Sequence, residues 1–88
     1  MENPNLDITI YSSPGCFYCD QAKELCKRTV QTPKIVTVGQ DISKEEFSSK
    51  FPNVNAYPHI IVEGEVIGGL VDFAKYFIKN GIIEVNMK

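Results

Sequence analysis

The chain has 88 residues, with nine basic and eleven acidic side chains, a formal net charge of −2 and three cysteines. A chain of this length supports one domain, residues 1–88, that can bury one sheet under two or three helices. The basic residues do not cluster and no apolar run approaches the roughly 18 residues of a membrane span, so neither nucleic acid nor a membrane is an expected partner.

The amino terminus and the cysteine usage predict the compartment. Residues 1–5 include Glu2 and Pro4, where a secretory signal has a basic segment followed by an apolar one. Three cysteines are an odd and small number for a secreted disulfide scaffold, whereas Cys16 and Cys19 form a Cys-x-x-Cys. We therefore expect a cytoplasmic protein in which this pair carries redox or metal chemistry.

The first part of the chain predicts a strand and a helix. Residues 7–11 alternate polar and apolar side chains, as a short strand does, and the Ser-Ser-Pro-Gly run at 12–15 breaks it. Apolar side chains then recur at helical spacing, which predicts a helix of about 13 residues after the first cysteine, stopped by Thr32-Pro33. The apolar face of this helix contains Cys19, Ala22, Leu25, Cys26 and Val30.

The rest of the chain predicts a strand, a short helix, a hairpin and a last helix. The β-branched run at 35–38 predicts the strand, and Ser43 three residues before Glu46 has the spacing of a capping box, which opens a helix ending near Phe51. Strands 60–62 and 66–67 form the hairpin around a turn at 63–65, and the last amphipathic helix covers 70–78. Residues 82–88 fit either a frayed strand or a tail.

The predicted order is β-α-β-α-β-β-α. A strand-helix-strand unit at the start requires a right-handed parallel crossover, and the later hairpin adds antiparallel strands. The sequence therefore predicts an α/β fold with a four-stranded mixed sheet, flanked on both faces by three helices. The Cys-x-x-Cys lies where the first strand leads into the first helix.

Cys16 has the position of a reactive thiol. A thiol must ionise before it attacks, and the unpaired N–H groups and dipole of a helix N-terminus stabilise the thiolate. Cys19 lies one turn deeper on the same side, so we expect Cys16 to attack and Cys19 to resolve the mixed disulfide. A zinc site is the alternative, but Cys26 and the single His59 could complete it only in an awkward geometry. Cys26 shares the apolar face of the helix, which predicts a core residue.

Three segments resemble the three motifs of glutaredoxins, in the order and at the spacing of that family. They are residues 11–23 around Cys16-Phe17-Tyr18-Cys19, the Tyr-Pro-His-Ile run at 57–60 and the Gly-Gly-Leu-Val-Asp run at 68–72. The likeness covers residues 7–78. It implies a thioredoxin-like fold, dithiol chemistry at the cysteine pair and glutathione as the reductant, with no metal.

The resemblance also implies that glutathione is bound by Tyr18, Tyr57, Pro58, Val71 and Asp72. In the family this proline is cis and faces the cysteines, which leaves the backbone of Tyr57 free to pair with an extended peptide. The N–H groups of Val71 and Asp72 take the α-carboxylate of the γ-glutamyl unit, and Asp72 pairs with its amine. Taken alone, Pro58 is also consistent with a strand-entry proline and Asp72 with a helix-start residue.

The chain departs from the family pattern at Phe17, where most dithiol glutaredoxins have a proline, and at Ser13, where they have a lysine. Loss of the lysine removes a cation that favours both the Cys16 thiolate and the glycine carboxylate of glutathione. His59 and Lys50 are candidate replacements. The other interpretation of His59 is an exposed residue at a strand end.

The sequence therefore predicts a glutathione-dependent oxidoreductase, expected as a monomer, that reduces protein disulfides and protein–glutathione mixed disulfides. Ribonucleotide reductase is the protein substrate that the resemblance suggests first. Thioredoxin itself is disfavoured, because Gly15 and Ile10 stand where it carries a tryptophan and a buried carboxylate. Three alternatives stay open: a similar redoxin recharged by thioredoxin reductase, a dimer carrying a [2Fe–2S] cluster through Cys16 and bound glutathione, and a metal-binding structural module.

Overall fold

The computed structural model describes residues 3–82, which form four strands and three helices. In chain order these are β1 (Ile8–Ser12), α1 (Phe17–Arg28), β2 (Lys34–Thr37), α2 (Lys44–Lys50), β3 (His59–Val62), β4 (Glu65–Gly68) and α3 (Leu70–Lys79). The predicted element order is confirmed. Residues 83–88, for which strand and tail were both open, lie outside the described residues. Within residues 3–82, no helix is long and apolar enough to cross a membrane.

The strands form one mixed sheet in the order β2-β1-β3-β4. β1 runs parallel to β2, with Ile10 opposite Ile35, and antiparallel to β3, with Ile10 opposite Ile60. A parallel pair needs a crossover connection, which α1 provides, whereas a tight turn joins the antiparallel pair β3 and β4. The predicted mixed sheet is confirmed, and β1 and β3 are its central strands.

The sheet separates two apolar cores. Alternate side chains of β1 and β3 face α1 and α3 on one side, where the larger core contains Ile8, Ile10, Ala22, Cys26, Ile60, Val62, Phe73, Phe77 and Ile82. On the other side Phe47 of α2 packs with Tyr11 and Val38. Ser43 caps α2 as predicted, since its hydroxyl accepts a hydrogen bond from the N–H of Glu46 at 3.0 Å. Helices therefore cover both faces, as predicted.

The helix α1 ends earlier than its apolar pattern predicts. Thr29 is the C-cap, and its hydroxyl donates to the carbonyls of Leu25 and Cys26 at 2.8 and 3.1 Å. Val30 then adopts a φ of +59° and is exposed, and the N–H of Gln31 bonds back to the Cys26 carbonyl at 2.7 Å. The predicted length of about 13 residues is confirmed, since α1 has 12. Thr32-Pro33 is not what stops the helix, because side-chain and main-chain bonds complete its end before the proline.

The β3–β4 hairpin turns on two residues instead of the expected three. Glu63 and Gly64 both have positive φ, +53° and +80°, which matches the right-handed twist of a two-residue turn. Glu65 therefore pairs with Val62 and belongs to β4. β4 then ends at Gly68, and Gly69 alone separates it from α3, which begins beside the site described next.

Candidate active site

Cys16 lies at the junction between β1 and α1. Gly15 has a φ of +72°, a conformation that glycine adopts without a steric penalty, and it places Cys16 as the N-cap of α1. The Cys16 Sγ accepts a hydrogen bond from the backbone N–H of Cys19 at 3.1 Å. An N-cap acceptor is ordinarily a side-chain oxygen, and here it is a sulfur. When the pair is reduced, this bond and the helix dipole favour the thiolate of Cys16.

The two cysteines differ in exposure. Cys16 is half-buried, whereas Cys19 in the first turn of α1 is only 1% exposed. Their sulfurs are joined as a disulfide, with the Cα atoms 5.2 Å apart. An incoming disulfide can therefore reach Cys16 and not Cys19, which supports the predicted division into an attacking and a resolving thiol.

Cys26, two turns further along α1, lies in a different environment. It is 1% exposed within the larger core, and burial raises the pKa of its thiol to about 12. A thiol with that pKa stays protonated near pH 7 and does not act as a nucleophile. The prediction that Cys26 is a core residue is confirmed.

A groove of about 630 Å³ begins at Tyr18, two residues after Cys16. It brings together all five side chains for which the resemblance implies a glutathione contact. They are Tyr18, Tyr57, Pro58, Val71 and Asp72. Sequence motifs that are far apart in the chain meet here because β3 pairs with both β1 and β4, which places the start of β3, the start of α1 and the start of α3 at the same end of the sheet.

The helix α3 begins with an open N-terminus at this groove. Its N-cap is Gly69, which supplies no side-chain acceptor to the first-turn N–H groups. The Asp72 carboxylate lies close to Gly68: a Cβ atom at Gly68 would be 2.8 Å from Asp72 Oδ2, which is too close. Since Gly68 also has a φ of +117°, glycine is the residue that fits there. Open N–H groups beside a carboxylate suit a ligand that carries both a carboxylate and an amine.

The residues at the start of β3 line the groove. The peptide bond between Tyr57 and Pro58 is cis, as the resemblance implies, and Pro58 is buried. Tyr57 is half-buried, with its ring centroid 5.4 Å from that of Phe47 in α2. This part of the lining is thereby attached to the smaller core.

Exposed apolar side chains surround the cysteine pair and the groove. Phe17 and Tyr18 are 66% and 59% exposed, with their ring centroids 5.6 Å apart in an edge-to-face arrangement. Val71 in the first turn of α3 is also 66% exposed. A partner that buries these side chains gains hydrophobic contact next to Cys16.

The structure corrects one sequence interpretation and adds residues to the site. His59 is 4% exposed, so its interpretation as an exposed strand-end residue is wrong; the ring is covered by α2, and the residue also lines the groove. Lys50 is exposed and is not among the lining residues. The further lining residues are Asn53, Val54, Asn55, Ala56, Val66, Gly68, Gly69 and Leu70. The 53–56 segment belongs to no motif, and sequence reasoning missed it.

The charge of the groove is low. Among its lining residues Asp72 carries the formal charge, and no lysine or arginine contributes. Ser13, which stands at the position of the family lysine, is half-buried and lies outside the lining residues. Within residues 3–82, no group of three His, Cys, Asp or Glu side chains is placed to hold a metal ion.

Comparisons with known proteins converge on one family. A family model described as Glutaredoxin matches residues 8–67. Among curated proteins, Glutaredoxin 1 of Escherichia coli (strain K12) is 29% identical over 82 residues, which cover 85% of this chain and 96% of that protein.

Solved structures share the fold. Glutaredoxin 1 from Francisella tularensis, complexed with cacodylate, matches with a TM-score of 0.71 at 19% identity and covers 85% of this chain and 95% of its own. A buckwheat glutaredoxin–glutathione complex matches with a TM-score of 0.66 at 19% identity, covering 86% and 71%. The thioredoxin-like fold implied by the sequence motifs is confirmed.

Proposed function

The chain belongs to the glutaredoxin family and is a thiol–disulfide oxidoreductase, and we propose that glutathione is its reductant. The observation that carries the proposal is the position of Cys16. Its sulfur caps α1, and the residue is half-buried whereas Cys19 is buried. Tyr18, two residues further along the chain, lines the groove that also contains the open start of α3 and Asp72. The proposed substrates are protein disulfides and protein–glutathione mixed disulfides.

The proposed reaction on a mixed disulfide begins at Cys16. Its thiolate attacks the glutathione sulfur, a new S–S bond forms, and the protein substrate leaves as a thiolate that takes up a proton. A second glutathione thiolate then attacks the glutathione sulfur on Cys16, releasing glutathione disulfide and the Cys16 thiolate. In sum, one free glutathione exchanges with the protein thiol: it leaves with the glutathione of the substrate as glutathione disulfide, and its proton balances the one that the protein thiolate takes up. Cys19 is not required.

A protein disulfide takes the dithiol route. Cys16 attacks one substrate sulfur, and Cys19 then attacks the Cys16 sulfur of the mixed disulfide, which releases the fully reduced substrate and leaves the Cys16–Cys19 disulfide. Cys19 is buried directly below Cys16, so it meets this sulfur without leaving the helix. Two glutathione molecules then reduce the internal disulfide.

The groove supplies the proposed recognition of glutathione. The open N–H groups of Val71 and Asp72 receive the γ-glutamyl carboxylate, and the Asp72 carboxylate pairs with the neighbouring amine. The buckwheat relative is described as a complex with glutathione, which supports the same ligand class here. The backbone of Tyr57, beside the cis peptide bond, is the proposed strand-like contact for the rest of the ligand or for a peptide substrate.

The partners and setting of the reaction are part of the same proposal. We propose a cytoplasmic monomer, and ribonucleotide reductase is one protein disulfide on which it can be tested. The exposed side chains of Phe17, Tyr18 and Val71 offer such a partner an apolar contact beside the sulfur.

A second candidate is recharging by thioredoxin reductase, which the absence of a lysine or arginine from the groove lining favours. Glutathione has two carboxylates, and the α3 start accommodates one of them. A redoxin that takes electrons from a flavoenzyme instead has no need for the second site.

A coupled assay separates the two candidates. NADPH oxidation is followed with a small glutathione mixed disulfide as substrate, coupled either to glutathione and glutathione reductase or to thioredoxin reductase alone. We expect turnover in the first system at least ~10-fold above the second, because the groove binds the γ-glutamyl unit. Turnover in the second system alone would overturn the proposal. Anaerobic purification tests the cluster alternative, since a [2Fe–2S] dimer would be brown and glutathione-dependent.

A further inference from the structure

The single histidine of the chain, His59, is buried in the wall of the groove, where the redox chemistry does not use it. It is the first residue of β3, follows Pro58 directly and pairs with Tyr11 of β1. Its side chain is 4% exposed, and its Nε2 has no hydrogen-bond partner within residues 3–82. A buried polar atom without a partner costs free energy, and such atoms are often found at functional positions.

The imidazole is enclosed by aromatic rings. Its centroid is 4.5 Å from that of Phe51 and 6.0 Å from that of Phe47, both edge-to-face, and 6.3 Å from that of Tyr11. We call these three rings the aromatic cage. The cage fits a neutral imidazole and offers an imidazolium no anionic partner.

The charged groups near the cage also favour the neutral form of the imidazole. The Tyr11 ring of β1 contacts the imidazole, and the groove lining adds the titratable side chains of Tyr57 and Asp72. The charged side chains of α2 are all exposed, and within residues 3–82 none forms a hydrogen bond or ion pair with the imidazole. They are Lys44, Glu45, Glu46 and Lys50. Burial lowers the pKa of His59 from its usual value, so the ring is neutral near pH 7.

The cage also fixes both ends of one groove wall. The wall is the segment 53–57, and all five of its residues line the groove. It lies between Phe51, which follows α2, and His59, which begins β3. Phe51 donates from its N–H to the Phe47 carbonyl at 2.9 Å, and Val54 donates to the Phe51 carbonyl at 3.0 Å. Opening the contact between Phe51 and His59 therefore displaces the wall.

We propose that His59 is a positioning residue for the groove: the neutral imidazole holds the 53–57 wall in its binding geometry, and protonation releases the wall. An imidazolium needs water or an anion, and it obtains either only if the cage opens. Groove ligands should therefore bind more weakly as the pH falls below about 6.5, and by reciprocity a bound ligand should make His59 harder to protonate. The inference depends on the proposed function only for the choice of a glutathione derivative as the ligand.

The first experiment needs no ligand and uses the disulfide form, in which neither Cys16 nor Cys19 titrates. The imidazole signals are followed by NMR from pH 8 down to the pH at which the ring is fully protonated, and their assignment is unambiguous because the chain has one histidine. We expect the backbone amide signals of Val54, Asn55 and Ala56 to move with the same midpoint as the imidazole. In His59→Phe, which keeps an aromatic ring in the cage, those amide signals should not titrate.

The second experiment adds S-methylglutathione, which fills the groove and cannot react. We expect its affinity for the native protein to fall roughly threefold or more across the imidazole titration measured in the first experiment, and its presence to shift the imidazole midpoint to lower pH. His59→Phe should bind with little dependence on pH. If that variant does not fold, the amide midpoints and the ligand-induced shift of the imidazole midpoint in the native protein still test the role of His59.

The possible results are distinct. Amide signals of the 53–57 wall that ignore the imidazole titration, or a saturating ligand that leaves its midpoint unchanged, would overturn the role of His59. Failure of S-methylglutathione to bind at any pH, with the amide titration present, would count against glutathione as the ligand and leave the His59 inference supported by the first experiment.

Discussion

The helices α1 and α3 both begin at the active site, and their N-termini are completed in opposite ways. Cys16 caps α1 with its own sulfur, whereas Gly69 leaves the first-turn N–H groups of α3 without a side-chain acceptor. The third helix, α2, has the ordinary solution, a serine hydroxyl from Ser43. An oxygen cap would have used up the same N–H groups in both site helices. At α1 these groups stabilise a nucleophile of the chain, and at α3 they stay available for the anion of a ligand.

The largest effect is expected from Cys16→Ser, which keeps a cap at α1 and removes the nucleophile. Serine is a good N-cap, so we expect a free energy of unfolding within about 1 kcal/mol of the native reduced protein. Turnover of both substrate classes should fall on the order of 10³-fold or more, measured in the glutathione-coupled assay. The matched control is Cys26→Ala, which removes the buried thiol and should leave turnover within about twofold. Turnover of Cys16→Ser within tenfold of the native rate would contradict the assigned role.

The next change, Cys19→Ser, tests whether the second cysteine of α1 serves only the dithiol route. Its backbone N–H to the Cys16 sulfur is retained, so the cap of α1 stays intact. We expect protein-disulfide reduction to fall about 100-fold or more, and reduction of glutathione mixed disulfides to remain within about threefold. The two rates are measured side by side on one preparation. Retained dithiol turnover would show that another group resolves the mixed disulfide.

A smaller effect is expected when α3 receives the cap that it lacks. Gly69 has a φ of −92°, and a Cβ there would be 3.9 Å from the Pro58 carbonyl oxygen, an ordinary contact, so Gly69→Ser is sterically allowed. The serine hydroxyl would accept from the N–H of Val71 or Asp72 and compete with the ligand carboxylate. We expect the KM for a glutathione mixed disulfide to rise about fivefold with kcat nearly unchanged, and the protein to gain a few tenths of a kcal/mol in stability. An unchanged KM would mean that the ligand does not use this helix start.

The smallest effect on activity is expected at α2, whose N-terminus, unlike those of α1 and α3, does not begin at the active site. Ser43→Ala removes an ordinary cap, so the free energy of unfolding should fall by about 1 kcal/mol, measured by urea denaturation. Both kcat and KM should stay within about twofold of the native values. A change in KM comparable to that of Gly69→Ser would imply that the α2 N-terminus also contributes to the groove.

Much of this site could be predicted from the sequence because local chemistry determines it. The positions of Cys16 and Cys19 follow from a strand, a glycine turn and a helix that are adjacent in the chain. The capping pair Ser43 and Glu46 is also local, and it was predicted correctly. The length of α1 was also predicted correctly, but its stop was assigned to Thr32-Pro33 and Val30 to its apolar face. The bonds of Thr29 and Gln31 that close the helix depend on backbone conformation, which the apolar pattern does not show.

Other features depend on contacts between distant segments. The sequence predicts that His59 is a polar residue at a strand end. Only the packing of α2 against β1 and β3 buries it under Phe51. Residues 53–56 of the wall belong to no motif, and they line the groove together with the start of α3 only in the folded chain. Neither feature has a local signal that sequence reasoning could have used.

The amino-acid sequence by itself determined the element order, the mixed sheet, the reactive cysteine pair and the identity of the three motifs. Turns, caps and hydrophobic periods act over a few residues, so these features can be read along the chain. Only the tertiary structure showed that residues 53–56 line the same groove as the three motifs, that the N-terminus of α3 has no side-chain cap there, and that His59 is buried beside it. The pairing of β1 with β3 brings together residues 48 to 54 positions apart, and the physical environment of each side chain exists only after that assembly.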